Sequence, residues 1–312
     1  MRHPLTRQKK WCWQKSKKCC KEEKGFTSHD VVAVVRRILH TKKVGHTGTL
    51  DPDAEGVLPV CVGKATKLAD IIMDGKKRYR AMVRLGITTT TEDAAGEVLE
   101  EKPVDFDEEK IRQAVAGFVG EQKQIPPMYS AIKVNGKKLY ELAREGKEIE
   151  RKARTITIFA INIVRFLPPD RFEIDVDCSK GTYIRTLCSD IGKTLGCGAH
   201  MAELTRTRTG SFALEDAITL GELQTMADEG RQEEAFLSME AALSDFPKII
   251  VSPKSTKMLY NGGRVYAKFY EAEKELTAGD IAAVFDSEHH LVGLYEVRDE
   301  EGFYIKPFKM LI

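Results

Sequence analysis

Gly45-His46-Thr47-Gly48-Thr49-Leu50-Asp51-Pro52-Asp53-Ala54-Glu55-Gly56-Val57-Leu58-Pro59-Val60 is the stretch on which the reading of this chain turns. Its glycines permit tight turns and let a ligand approach the backbone closely. Pro52 restricts the residue before it, so Asp51 is biased towards an extended conformation and its carboxylate is positioned rather than floppy. As a bare pattern the segment is open to three readings: a catalytic acid, a calcium loop, or a plain turn. Asp51-Pro52-Asp53 with Glu55 lacks EF-hand spacing, and Pro52 is poorly placed for a loop wrapped around calcium. A Walker-type G-x-x-x-x-G-K-[ST], which would cradle a nucleotide phosphate, does not occur.

Upstream of this loop, Thr27 followed three residues later by Asp30 has the pattern of a capping box. Val31, Val34, Val35, Ile38 and Leu39 then recur at helical spacing, predicting an amphipathic helix to about His40. Downstream, residues 57–62 form a short apolar run and residues 65–73 a helix. From Arg78 to Leu85 the chain alternates. Tyr79, Ala81, Val83 and Leu85 face one way and Arg78, Arg80, Met82 and Arg84 the other, which predicts a half-buried strand with a basic outer face. Residues 111–119 read as a helix. Pro126-Pro127 breaks regular structure over residues 124–135, and residues 138–144 form a short helix. Strands are expected at 155–166 and 172–178. Gly181 then opens a helix that carries Ile184, Leu187, Ile191 and Leu195 and is closed by Gly196. Strands broken by helices, without a repeating βαβ unit, predict an α+β domain. Beyond Pro247, short strands near 249–251, 281–285, 291–297 and 303–307, separated by turn residues, read as a small β-barrel module.

The 312 residues carry a net charge of only +2, so arrangement matters more than total. Lys76, Lys77, Arg78, Arg80 and Arg84 crowd one segment and Arg206 and Arg208 another, while acid gathers at Glu97, Glu100, Glu101 and residues 105–109. A basic face with an acidic back is what a phosphate-binding protein presents. Seven cysteines, scattered without a C-x-x-C pair, predict neither a disulfide framework nor a metal site. Cys61, Cys178 and Cys188 read as small buried hydrophobes. No run approaches the roughly 20 apolar residues of a membrane span. The positively charged start lacks an apolar h-region, so the cytoplasm is the expected location and no membrane partner is expected. Residues 1–24, with Trp11, Cys12, Trp13, a run of Lys, Cys19 and Cys20, follow neither the helical nor the strand period and are expected to form a basic arm.

Three further segments join the opening stretch in order. They are Lys77-Arg78-Tyr79-Arg80 with Leu85-Gly86 and Thr89-x-Thr91-x-Asp93-x-x-Gly96; Pro126-Pro127-Met128-Tyr129-Ser130-Ala131-Ile132-Lys133; and Lys180-Gly181-Thr182-Tyr183-Ile184-Arg185-Thr186-Leu187. With them the chain resembles the TruB family of tRNA pseudouridine synthases, over about residues 24–220 and more loosely beyond. The resemblance implies a pseudouridine synthase catalytic domain over residues 25–240, with a mixed, largely antiparallel sheet flanked by helices. An RNA-clasping loop would span about 124–150, and a PUA-like β-barrel residues 247–312. Where the family sets an apolar strand before the turn at Lys24-Gly25-Phe26-Thr27-Ser28, this chain offers Lys, Cys and Glu, and the strand is expected to be missing.

The function implied is isomerisation of uridine 55 in the tRNA T-loop. The C1′–N1 bond breaks, the base turns, and it rejoins through C5, with the target base flipped out and with neither cofactor nor metal. Asp51 matches the family's nucleophile, attacking C1′ or C6. Arg185 matches its guanidinium partner, and a nearby cation favours the ionised carboxylate. Tyr79 matches the tyrosine that stacks on the base and moves a proton. Read without the family, Arg185 would be a surface helix charge and Tyr79 a core tyrosine. His46 is assigned to substrate binding, Tyr183 and Leu204 to the base pocket, and Arg206, Arg208, Lys133 and Lys137 to phosphates. The expected partner of this monomer is tRNA, held by its T-arm and, through the C-terminal module, by its acceptor end. Two other readings stand beside this one: a guide-RNA-dependent catalytic subunit, and a tRNA-binding or folding protein with secondary catalysis.

Overall fold

The computed structural model describes residues 11–12, 20–22, 25–51, 53–134, 136–300 and 302–312. Pro52, and with it the expected stiffening after Asp51, lies outside them.

The chain up to about residue 246 is built on one mixed sheet. Its strands in chain order are β1 (Cys20–Glu22), β2 (Glu55–Leu58), β3 (Lys77–Leu85), β4 (Gly120–Gln124), β5 (Arg154–Leu167), β6 (Arg171–Cys178) and β7 (Ala199–Thr209), with the short strand Phe212–Ala213 pairing to β7. They lie in the order β1-β2-β7-β3-β6-β5-β4, and β2 with β7 is the parallel pair among antiparallel neighbours. The helices are α1 (Ser28–Ile38), α2 (Ala69–Met73), α3 (Glu108–Ala116), α4 (Leu139–Arg144), α5 (Ile184–Thr194) and α6 (Leu220–Asp228). The expected capping box forms at α1: the Asp30 amide donates to Thr27 Oγ1 at 3.2 Å and the Thr27 amide to Asp30 at 3.0 Å.

The alternation along β3 has the expected effect. Ala81, Val83 and Leu85 join Phe172, Ile174, Val176 and Cys178 of β6 in the main core, with Ile184, Leu187 and Ile191 of α5 packed on them. Cys61, Cys178 and Cys188 are buried. The other face of the sheet corrects an expectation. Arg78, Arg80 and Arg84 do not form a free basic surface, because they meet Asp177, Asp175 and Asp170 across the β3–β6 pair at 2.7, 2.8 and 3.0 Å. Lys77 turns inward, donating to the Met73 and Gly75 carbonyls that end α2, and burial pushes its pKa down to about 8. One-dimensional charge counting missed the cross-strand acids, which lie about 90 residues away in sequence.

One more expectation changes. The segment before Gly25 is not without strands: Cys20–Glu22 pairs with β2, and Trp11–Cys12 pairs with residues 237–238 and with Cys61. Ladder hydrogen bonds come from backbone groups, so an unusual side-chain pattern does not forbid them. β7, the strand beside β3, carries His200 and Arg206 among its buried positions and so lacks the apolar alternation that would have revealed it.

Beyond residue 247 the expected β module forms a six-stranded, nearly closed sheet from Lys248–Val251, Val265–Tyr266, Tyr270–Ala272, Ile281–Phe285, Leu291–Asp299 and Phe303–Met310. It shares a core with the part before it: Leu68, Ile72 and Leu243 cluster with Phe285, Leu294 and Leu311, while Lys67 Nζ donates to the Met310 carbonyl at 3.0 Å.

Candidate active site

Asp51 hangs from a loop fixed on both sides. Leu50 before it is buried and donates its amide to Ser28 Oγ of α1 at 3.2 Å, the Thr47 amide donates to Pro59 O, and the Ala54 amide to Asp51 O. Gly56, on the far side of the loop, has φ +120°, and a Cβ there would lie 2.3 Å from the Arg206 carbonyl. Only glycine lets β2 and β7 approach so closely beneath the loop.

Arg185 enters from the first turn of α5. Its side chain is 5% exposed and lies 3.0 Å from Asp51, whose side chain is 41% exposed: a carboxylate that solvent reaches, gripped from below by a cation that solvent does not. The guanidinium also donates to Asp51 Oδ1 at 3.2 Å, to the Thr91 carbonyl at 3.1 Å and to the Tyr129 carbonyl at 2.8 Å, and Asp93 stands 3.4 Å away. One side chain therefore ties the Asp51 loop, the 91–93 turn and the proline-rich loop together. Burial pushes the Asp51 pKa up; Arg185 pulls it back, and Asp93 adds to the rise. The carboxyl is open to solvent on one side, which limits the penalty of burial, and paired with Arg185 on the other.

Tyr79, partly buried at the edge of the main core, is close enough to Asp51 for the two to interact. Burial pushes its pKa up and Arg206 opposes, so at neutral pH it is a protonated phenol with a proton to give. His46 packs edge-on to His29, ring centroids 5.3 Å apart, and burial lowers its pKa. Tyr183 caps α5, where buried Gln124 holds it twice: the Tyr183 amide donates to Gln124 Oε1 at 2.8 Å, and Gln124 Nε2 donates to the Tyr183 carbonyl at 3.0 Å. Leu204 lies in the main core opposite Ala81. Lys133, Lys137 and Arg208 are exposed.

Arg206 departs from its expected place. It is 1% exposed, and its guanidinium donates to the Val57 carbonyl at 2.8 Å and the Gly48 carbonyl at 3.3 Å, so it is not a phosphate contact. It alternates inward with Leu204 along β7, where a surface charge was read because the strand itself had gone unrecognised. Asp93 and Gln124 were not singled out as site residues. The Thr-x-Thr-x-Asp spacing carried a signal for Asp93; Gln124 had none. Among the described residues, no group of three or more His, Cys, Asp or Glu is placed to hold a metal.

Comparison with known proteins places the chain in a family. Residues 36–184 match the N-terminal domain of the TruB family pseudouridylate synthases, and residues 185–244 the tRNA pseudouridylate synthase B C-terminal domain. That division falls inside the main sheet, since α5 and β7 lie beyond it. A curated tRNA pseudouridine synthase B from Alkaliphilus oremlandii is 49% identical over 288 residues, covering 92% of this chain and 95% of the relative. Its counterpart from Halalkalibacterium halodurans is 45% identical, covering 92% and 94%. Among solved structures, a chain of a Cbf5-Nop10-Gar1 complex superposes with TM-score 0.75 at 29% identity, covering 94% of this chain and 84% of that one. A chain from an H/ACA RNP bound to a substrate RNA containing 2′-deoxyuridine gives 0.74 at 27%, with the same coverage.

Proposed function

From its membership of the TruB family of pseudouridylate synthases, to which this chain belongs, we propose that it isomerises uridine 55 of the tRNA T-loop with Asp51 as nucleophile. It is a tRNA pseudouridine synthase. The observation that carries the assignment of roles is the pairing of a solvent-reached carboxylate, Asp51, with a buried guanidinium, Arg185, that is itself held by two carbonyls. Such a carboxylate is oriented, paired with a fixed cation and open to a flipped nucleotide. Tyr79 lies against the base, and His46, Tyr183 and Leu204 shape the pocket. Lys133, Lys137 and Arg208 meet phosphates, positioning RNA without reading its sequence.

Residues 25–240 act as the catalytic unit, with the loop at about 124–150 closing on the T-arm. The module from 247 reaches towards the acceptor end, and the shared core around Leu311 supports a fixed angle between the two. The chain works as a cytoplasmic monomer. The stand-alone tRNA reading is supported by the relatives named for tRNA, which are 45–49% identical, against 27–29% for the chains from the H/ACA RNP and Cbf5-Nop10-Gar1 complexes.

The test is a T-arm stem-loop tritiated at C5 of its uridine, incubated with purified protein and no added metal or cofactor. Tritium appears in water, and Asp51→Asn abolishes its release. Folded wild-type protein that binds the stem-loop and releases nothing would sink this reading.

A further inference from the structure

Arg206 is fully buried, and among the described residues no carboxylate lies within ion-pair distance of it. A charge in that position is costly to desolvate and is not cancelled locally, so its field acts on whatever stands beside it. Beside it stands Tyr79. The two are register partners on β7 and β3, and both side chains point to the inner face of the sheet, where directly opposed residues touch. The guanidinium is also fixed in place. Nε is bound to Val57 O, Nη2 to Gly48 O in the loop that carries Asp51, and the absent side chain of Gly56 lets the Arg206 backbone sit against β2.

We propose that Arg206 is a positioning residue for the isomerisation, holding the Tyr79 hydroxyl towards the base and stabilising the phenolate that forms when the hydroxyl gives up its proton and that later takes the proton from C5 of the uracil ring. The proposal rests on the reading of Tyr79 given above. Isomerisation requires C5 to lose a proton and N1 to gain one. A phenol balances both: Tyr79 gives its proton to N1 of the detached base and takes the proton from C5 once C5 has bonded to C1′. The enzyme ends unchanged, and exchange of the phenol proton with water carries the label out. Between the two transfers the oxygen is negative. Asp51 and Cys178, the other ionisable groups facing Tyr79, both disfavour that charge, whereas Arg206 favours it. A fixed cation aimed at charge that develops during reaction is the usual source of large rate effects.

The experiment measures single-turnover tritium release at saturating stem-loop, using the full chain. Arg206→Gln lowers the rate on the order of 100-fold, the size of losing one preorganised partner, while RNA affinity changes less than about threefold. Site-specific 3-fluorotyrosine at position 79, a more acidic phenol, restores at least about tenfold of that loss. A folded Arg206→Gln protein at wild-type rate overturns the proposal. So does a rate loss that fluorotyrosine does not relieve, since a purely structural role is indifferent to phenol acidity. If Arg206→Gln fails to fold, Arg206→Lys keeps the charge and loses the fork. It is expected to slow severalfold with relief by fluorotyrosine, and absence of relief overturns the proposal equally. Wild-type protein without tritium release would instead strike at the functional reading itself.

Discussion

On the outer face of the sheet Arg78 and Arg80 meet Asp177 and Asp175 at 2.7 and 2.8 Å, with both arginine side chains 46% exposed. On the inner side Arg185 meets Asp51 at 3.0 Å, with its own side chain 5% exposed. The residue types and distances are alike; the surroundings are not. Water solvates and screens the outer pairs, which leaves each worth under about 1 kcal/mol. Arg185 is out of water while Asp51 is half open to it, so the guanidinium depends on its partners far more than the outer arginines do. An ion pair is therefore a surface detail or a functional element according to where the fold puts it.

The largest way to test that contrast is to remove the inner carboxylate. Asp51→Asn is expected to lower turnover by on the order of 10⁴-fold or more while tRNA affinity stays within about tenfold, as measured by tritium release and filter binding. Near-normal turnover would strip Asp51 of its role. Tyr79→Leu should lose about 10²–10⁴-fold in rate and still bind, the range of a lost proton-transfer group.

Arg185→Gln sharpens the comparison through pH. Burial raises the Asp51 pKa and Arg185 opposes that rise, so without Arg185 the carboxylate protonates at higher pH. The acid limb of the rate profile should move upward, and the rate on its plateau fall about 100-fold. A limb that stayed in place would show that Arg185 does not control Asp51. Removing Lys133 or Arg208 should weaken tRNA binding and reduce the salt slope by about one each, with the saturated rate unchanged. The smallest effect belongs to the outer face: Arg80→Ala should cost under about 1 kcal/mol in urea melts and leave both affinity and rate alone. A marked loss of tRNA affinity in that variant would restore the basic-face reading that the cross-strand acids displaced.

Much of this site was legible before any coordinates. Asp51, Tyr79 and Arg185 sit in motifs whose residue types and order single them out, and the structure sets Arg185 3.0 Å from Asp51 with Tyr79 close by. The alternation of β3 and the capping box of α1 are local patterns, so they could be read locally. What escaped was non-local. β7 hid because a strand lined by Arg206 and His200 does not alternate in hydrophobicity, and its partners are supplied by a segment about 120 residues earlier. The two short strands before residue 25 hid because backbone pairing leaves little mark on side-chain pattern.

By itself the sequence determined the family and its candidate groups: an aspartate in a glycine-rich loop, a tyrosine on an alternating strand and an arginine opening a helix. These follow from neighbours within a few residues. Tertiary structure alone decided which charges count. It turned Arg206 inward behind Tyr79, sent Lys77 to the end of α2, and matched Arg78, Arg80 and Arg84 to acids across the sheet. The reason is that an ionisable group acts through burial and its nearest opposite charge, and folding sets both by joining segments far apart along the chain.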